Sequence, residues 1–287
     1  MESWLFLSII GYSIGAISSV LDKYMMNLQY NPVTTSLLRV FFNASILASA
    51  GFLFLQLQLS PSILLYALIP GSLLALSFVV YLMVLRRKNA SEVLPFWQSL
   101  DLMLIFLGSV IFFQEPVTLV NYGGIVVMLI GIYLVLTDNI RKTPRLNYSF
   151  LIVASILPID LAYSLLIKKF LGAVPPISLA VSTYAIAFLM LSAVVLVMRL
   201  RSHTHQNHAY VKPQARTVFT ASLFAAAGVG LLYIALSQGY ASKVYPMAGI
   251  SSIMVFLLAT AFLKEKFYYH RLVGTLIVFL GMYFISL

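Results

Sequence analysis

The chain alternates apolar stretches with short polar links, and that alternation leaves few folds open to it. The stretches are 4–22, 33–55, 62–85, 93–113, 118–137, 149–167, 177–198, 218–238, 245–263 and 270–286. Each is close to the roughly 20 apolar residues that a helix needs to cross the hydrocarbon core of a bilayer. Lipid offers the backbone no hydrogen-bond partner, so a crossing segment must satisfy its own amides, as a helix does. Of 287 residues, 61% are hydrophobic and 9% charged, where a soluble domain carries about a quarter charged residues. The expected class is an all-α integral membrane protein with ten transmembrane helices.

The net charge of +10 would suggest nucleic acid in a soluble chain. Here the basic residues flank apolar segments, which is the pattern of cytoplasmic loops, so lipid is expected as the surrounding partner and nucleic acid is not. There is no cysteine, which excludes disulfides and thiolate metal sites. The opening MESWLFLSIIGYSIGAISSVL lacks a basic leader and reads as a retained first helix.

The ten segments divide as five plus five. ASEVLP (Ala90–Pro95) and ASKVYP (Ala241–Pro246) agree at four of six positions. Glu115, Gly124, Gly131 and Tyr133 recur 150 residues later as Glu265, Gly274, Gly281 and Tyr283. Lys23 then Pro32 match Lys169 then Pro176 more weakly. Internal repeats are a signature of many transporters. With an odd number of helices in each, repeats at 1–140 and 141–287 must be inverted relative to one another. Counting Lys and Arg, 15 of 18 fall on the face opposite the termini. That count puts both termini outside the cell membrane.

At this point the sequence resembles the drug/metabolite transporter superfamily, in particular its EamA-like permeases. Lys23, Pro32 and Arg39 followed by Phe41 are similar to the family's opening pattern, with Val40 intervening. PFWQSLDLMLIFLGSVIFFQEPVTLVNYGGIVVMLIGIYL resembles the family's fourth and fifth helices, with Gln114 where a glycine usually precedes Glu115. PMAGISSIMVFLLATAFLKEKFYYHRLVGTLIVFLGMYF resembles them again. The resemblance implies a central cavity between two repeats and outward transport of small metabolites, often amino acids. It also implies cytoplasmic termini, against the charge count.

Charge inside the segments points to chemistry, because an unpaired charge in hydrocarbon costs about 3 kcal/mol or more. Asp101 shares a helix face with Trp97 and Gln98, at i−4 and i−3, one to two turns inside the fourth segment. The matching stripe of the second repeat carries Ser251 and Ser252, and Asp101 aligns with Ser252. Asp160 follows Pro158, where a helix can bend, and shares its face with Tyr163 and Ser164. Each acid is a candidate for proton coupling, and Asp160 also for the counter-charge to a substrate amine. The alternative for Asp160 is a salt bridge to Lys23 or Arg39. Arg39 and Asn43 share a face of the second helix; Arg39 could clamp an anion, snorkel to the headgroups or serve the structure. Tyr81 is a further candidate, with Ser77, Tyr233 and Gln238 behind it.

Glycine pairs Gly11 and Gly15, Gly124 and Gly131, and Gly274 and Gly281 read as helix-packing sites, within the chain or in a homodimer. HTHQNH at His203–His208 reads as a solvated loop without a metal, and no glycine-rich nucleotide cradle is present. No cofactor is expected. The best reading is a secondary transporter of a small organic solute, with a nucleotide-sugar or sugar-phosphate antiporter as runner-up. A membrane enzyme would need a catalytic set at membrane depth, and the histidines lie outside or at the edge of the segments. A scaffold or receptor would have no evident use for two intramembrane acids.

Overall fold

A computed structural model describes residues 3–55, 57–136, 148–201 and 212–287. The described residues form helices α1 (Ser3–Asn27), α2 (Pro32–Phe54), α3 (Pro61–Arg87), α4 (Ala90–Phe113), α5 (Leu119–Leu136), α6 (Tyr148–Phe170), α7 (Pro176–Arg201), α8 (Ala215–Gln238), α9 (Ala241–Val244), α10 (Gly249–Phe262) and α11 (Tyr269–Ser286), with no strand among them. A 3₁₀ turn, Tyr245–Ala248, joins α9 to α10. Among the described residues, seven helical segments are long and apolar enough to cross a membrane: α1, α2, α3, Val93–Phe113, Pro176–Met198, α8 and Ala241–Phe262. Leu119–Val135 and Tyr269–Ile285 are shorter apolar helices. Even α5, with 18 residues, rises about 27 Å at 1.5 Å per residue. The His203–His208 run and the boundary at 140/141 lie outside the described residues.

Helix starts follow local chemistry. The Asn31 side chain accepts from Val33 N at 2.9 Å and from Thr34 N at 3.3 Å, with Pro32 opening α2. Ser60 caps α3 ahead of Pro61. Such caps satisfy amides that a helix leaves without partners. Apolar side chains face outward as well as inward: Leu119 is 90% exposed and Phe52 80%. In water that surface would aggregate; in a bilayer it is the solvated face.

α4 and α9 begin without a side-chain cap bond from Asn89 or Tyr240. A distant glutamate does the work instead. Glu265 accepts from Ala90 N at 2.8 Å and Ser91 N at 3.1 Å, and from the Ser91 hydroxyl. Glu115 accepts from Ala241 N at 2.9 Å and Ser242 N at 2.8 Å. A carboxylate at a helix N-terminus is favoured by the helix dipole as well as by the hydrogen bonds. The helix ends just before these starts are held by lysines. Lys23 Nζ donates to the carbonyls of Leu85 and Lys88 at 2.8 and 2.7 Å, and Lys168 Nζ to those of Leu236 and Gly239 at 2.8 and 2.6 Å. The repeated Glu therefore reaches across to the other repeat, while the lysine stays within its own. Lys168, not the aligned Lys169, is the counterpart of Lys23, because register at the α6 end sets which ammonium reaches the carbonyls.

The glycine pairs are helix contacts inside one chain. A Cβ on Gly281 would lie 2.5 Å from Met128 N, one on Gly124 2.6 Å from Gly281 O, and one on Gly131 2.6 Å from Val278 N. α5 and α11 thus touch backbone to backbone. Gly11 and Gly228 bring α1 and α8 together in the same way. Gly15 differs: a Cβ there would meet nothing within 4 Å. Gly281→Val should lower the melting temperature of the detergent-solubilised protein by several degrees, while Gly123→Val, where a Cβ meets nothing within 4 Å, should leave it unchanged; equal shifts would remove the glycine contact as the cause.

Gln114 ends α4 in the left-handed conformation at φ 53°, and Lys264 matches it at φ 54°. Each directly precedes its capping glutamate. Left-handed backbone costs a side-chain-bearing residue about 1 kcal/mol and costs glycine nothing comparable. Gln114→Gly should therefore raise stability by about 1 kcal/mol, measured by thermal unfolding; a loss would mean that the Gln114 side chain outweighs its backbone strain.

Candidate functional site

Helices α1, α2, α3, α4, α6, α7 and α8 surround a cavity of about 320 Å³, at the small end of the range for ligand pockets. Its wall includes Gly15, Asn43, Leu74, Asp101 and Asp160, each near the middle of its helix. Asp101 lies about three turns into α4, deeper than the sequence suggested, because α4 starts at Ala90. Pro95 sits inside α4 and Pro158 inside α6 without ending either helix.

Seven of the sequence candidates line this cavity: Arg39, Asn43, Tyr81, Trp97, Gln98, Asp101 and Asp160. Ser77 lines it too. Asp160 accepts from the Ser77 hydroxyl, and from Trp97 Nε1 at 2.8 Å. Its partners are thus neutral donors from α3 and α4, and the salt bridge to Lys23 or Arg39 is not formed. Lys23 is instead occupied with carbonyls, and Arg39 with another acid. Trp97 stands edge-on to Tyr81 with ring centroids 5.8 Å apart, and Tyr81 stacks on Phe78 at 5.8 Å. Aromatic faces therefore adjoin the carboxylate.

Three candidates fall elsewhere. Tyr163 is paired with the Tyr233 hydroxyl at 3.0 Å, and the carbonyl of buried Ser164 accepts from Tyr245 at 3.1 Å. Ser252 donates to Gln98 Oε1 at 2.5 Å, while Gln98 Nε2 reaches Ser251 Oγ at 3.5 Å. The serine stripe of the second repeat thus orients Gln98, which itself faces the cavity.

Arg39 is 2% exposed and does not snorkel. Its Nε lies 2.9 Å from Asp22 Oδ1, and its Nη2 donates to Asp22 Oδ2 at 3.1 Å and Ser18 Oγ at 2.6 Å. Nη1 donates to Ser222 Oγ at 3.1 Å. One guanidinium thereby ties α1, α2 and α8 together. Asp22, also 2% exposed, was missed by sequence reasoning; its signal was an acid beside Lys23 at the end of an apolar segment, which reads as a boundary. Removing one partner of a buried pair strands the other charge, at about 3–5 kcal/mol. Asp22→Leu and Arg39→Met should each strongly lower the melting temperature, and the double variant should recover most of the loss. A double variant as unstable as the sum would show that the pair is not what the two residues share.

Asp101 differs from the other acids. It is half-buried, yet its Oδ1 is fully buried and has no hydrogen-bond partner. No group of three or more metal-ligating side chains occurs among the described residues.

The model of the EamA-like transporter family matches residues 2–137 and again 150–287. A protein known from a crystal structure superposes with a TM-score of 0.68 over 97% of this chain and 95% of its own. At 14% identity that likeness speaks for the fold. No curated protein matches the chain significantly.

Proposed function

The chain belongs to the EamA-like transporter family and is a multi-pass membrane protein; from that premise we propose a secondary active transporter that moves a small organic solute by alternating access. The solute is an amino acid or a related amine, and the direction is outward across the cell's plasma (inner) membrane. The architecture is ten spans in two inverted repeats, 1–140 and 141–287, that rock around a midplane site. On the basic-residue count both termini lie outside. The observation that carries the reading is the cavity at mid-depth, walled by helices of both repeats and holding, besides the Arg39-paired Asp22, Asp101 from the first repeat and Asp160 from the second.

Trp97, Gln98, Tyr81 and Asn43 would shape the solute site around those acids. Arg39 would hold the wall together through Asp22. Asp101 and Asp160 would couple transport to protons, since carboxyls inside a membrane are the usual stations of proton relays. The nucleotide-sugar or sugar-phosphate reading has less support. Phosphates call for free basic groups, and Arg39, the one Lys or Arg among the lining residues, is engaged by Asp22.

Purified protein in liposomes should accumulate a radiolabelled amino acid or amine when a pH gradient is imposed, and a protonophore should stop it. Asp160→Asn should abolish the flux while the protein still melts cooperatively at an unchanged temperature. Exchange of nucleotide sugars with no response to the pH gradient would replace this reading by the antiporter. Wild-type flux in Asp160→Asn would remove that acid from the mechanism.

A further inference from the structure

The cavity wall carries three carboxylates, Asp22, Asp101 and Asp160, and one guanidinium, Arg39. Asp22 and Arg39 are 2.9 Å apart and neutralise one another. Asp160 is held by two neutral donors, Ser77 and Trp97, which orient it and bring no opposite charge. Asp101 offers a buried oxygen with no partner at all. A native protein rarely leaves such an atom unsatisfied, and the cost is warranted where a ligand supplies the donor. Around these acids stand the rings of Tyr12, Phe78, Tyr81, Trp97 and Tyr184. Aromatic faces attract cations and also accept apolar carbon, so they suit an ammonium group on a hydrocarbon body.

The same wall is hostile to a carboxylate. A zwitterion would need a cationic or multi-donor site for its acid end. Arg39, the group that could clamp it, already spends its Nε and Nη2 on Asp22 and its Nη1 on Ser222. A substrate carboxylate would then sit among like charges, which opposes binding.

We infer that the cavity selects organic amines that lack a carboxylate, the ammonium lying between Asp101 and Asp160 and the body against the aromatic wall. The inference rests on the transporter reading for its physiological meaning, but it concerns what the site binds.

Three probes with one phenyl ring separate the cases: 2-phenylethylamine, phenylalanine and 3-phenylpropionate. Each is titrated calorimetrically into the full-length protein in detergent, and each is offered to the same protein in liposomes. The amine should bind, phenylalanine should bind about tenfold more weakly or worse, and the acid should show no binding. Asp101→Asn should weaken the amine about tenfold or more without changing the melting temperature of the ligand-free protein. If that variant does not fold, the amine-to-phenylalanine ratio of the unaltered protein decides. Phenylalanine or phenylpropionate binding as well as the amine overturns the inference, as does binding of none of the three or an unchanged amine affinity in folded Asp101→Asn. Transport of phenylalanine without phenylethylamine sinks the selectivity and leaves the transporter. Tight binding of the amine with no movement across liposomes does the reverse.

Discussion

The fold depends on satisfying helix ends where water is scarce. Two interhelical joints, between α3 and α4 and between α8 and α9, each leave carbonyls on one side and amides on the other. Each joint is closed by one lysine and one glutamate: Lys23 with Glu265, and Lys168 with Glu115. Because the glutamates cross between repeats, neither repeat can complete its own joint alone. The backbone contacts of α5 with α11 are reciprocal in the same sense, with Gly124 against Gly281 and Gly131 against Gly274. The glutamates and the glycines are residues that the internal repeat duplicates, so that part of the sequence symmetry has a direct cause in hydrogen bonding and close packing.

On that symmetric frame sits an asymmetric cavity. Asp101 aligns with Ser252, and the structure turns Ser252 toward Gln98 and leaves Asp101 Oδ1 without a hydrogen-bond partner. Asp22 and Arg39 remove each other from the balance of charge. What remains facing the cavity is acidic and aromatic. The polarity of the site therefore follows from which acid the single arginine has chosen, a choice made by three helices meeting at Ser18, Asp22 and Ser222.

Much of this was legible in the sequence and some was not, for physical reasons. Every predicted apolar segment falls on helix in the described residues, because hydrophobic run length reports the environment that helices need. Helical periodicity puts Trp97, Gln98 and Asp101 on one face, and all three line the cavity. The same periodicity put Tyr163 and Ser164 beside Asp160, yet only Asp160 of the three is among the residues that line the cavity. Sharing a face says which residues are neighbours along a helix, but not which helix stands opposite. Depth left Arg39 open between a ligand clamp, snorkelling and a structural role: a long basic side chain near a segment end can reach headgroups or a buried acid, and only the partner decides. Asp22 escaped because an acid beside a lysine at the edge of an apolar run looks like the edge itself.

The hydrogen bonds of Asp160 have a consequence for movement. Ser77 and Trp97 belong to α3 and α4, and Asp160 belongs to α6, so both bonds run between the two repeats. In the proposed rocking motion these are contacts that cannot all persist as the repeats change their relation. A solute ammonium that settles between Asp101 and Asp160 would compete with those same neutral donors for the carboxylate. An ammonium adds a Coulomb attraction that neither neutral donor supplies. Solute binding would thus loosen the cross-repeat bonds at the depth where the cavity must open, while Lys23 and Lys168, whose carbonyl partners lie in their own repeats, keep those helix ends satisfied through the change. Recognition and release of the closed arrangement would then be one event at one carboxylate.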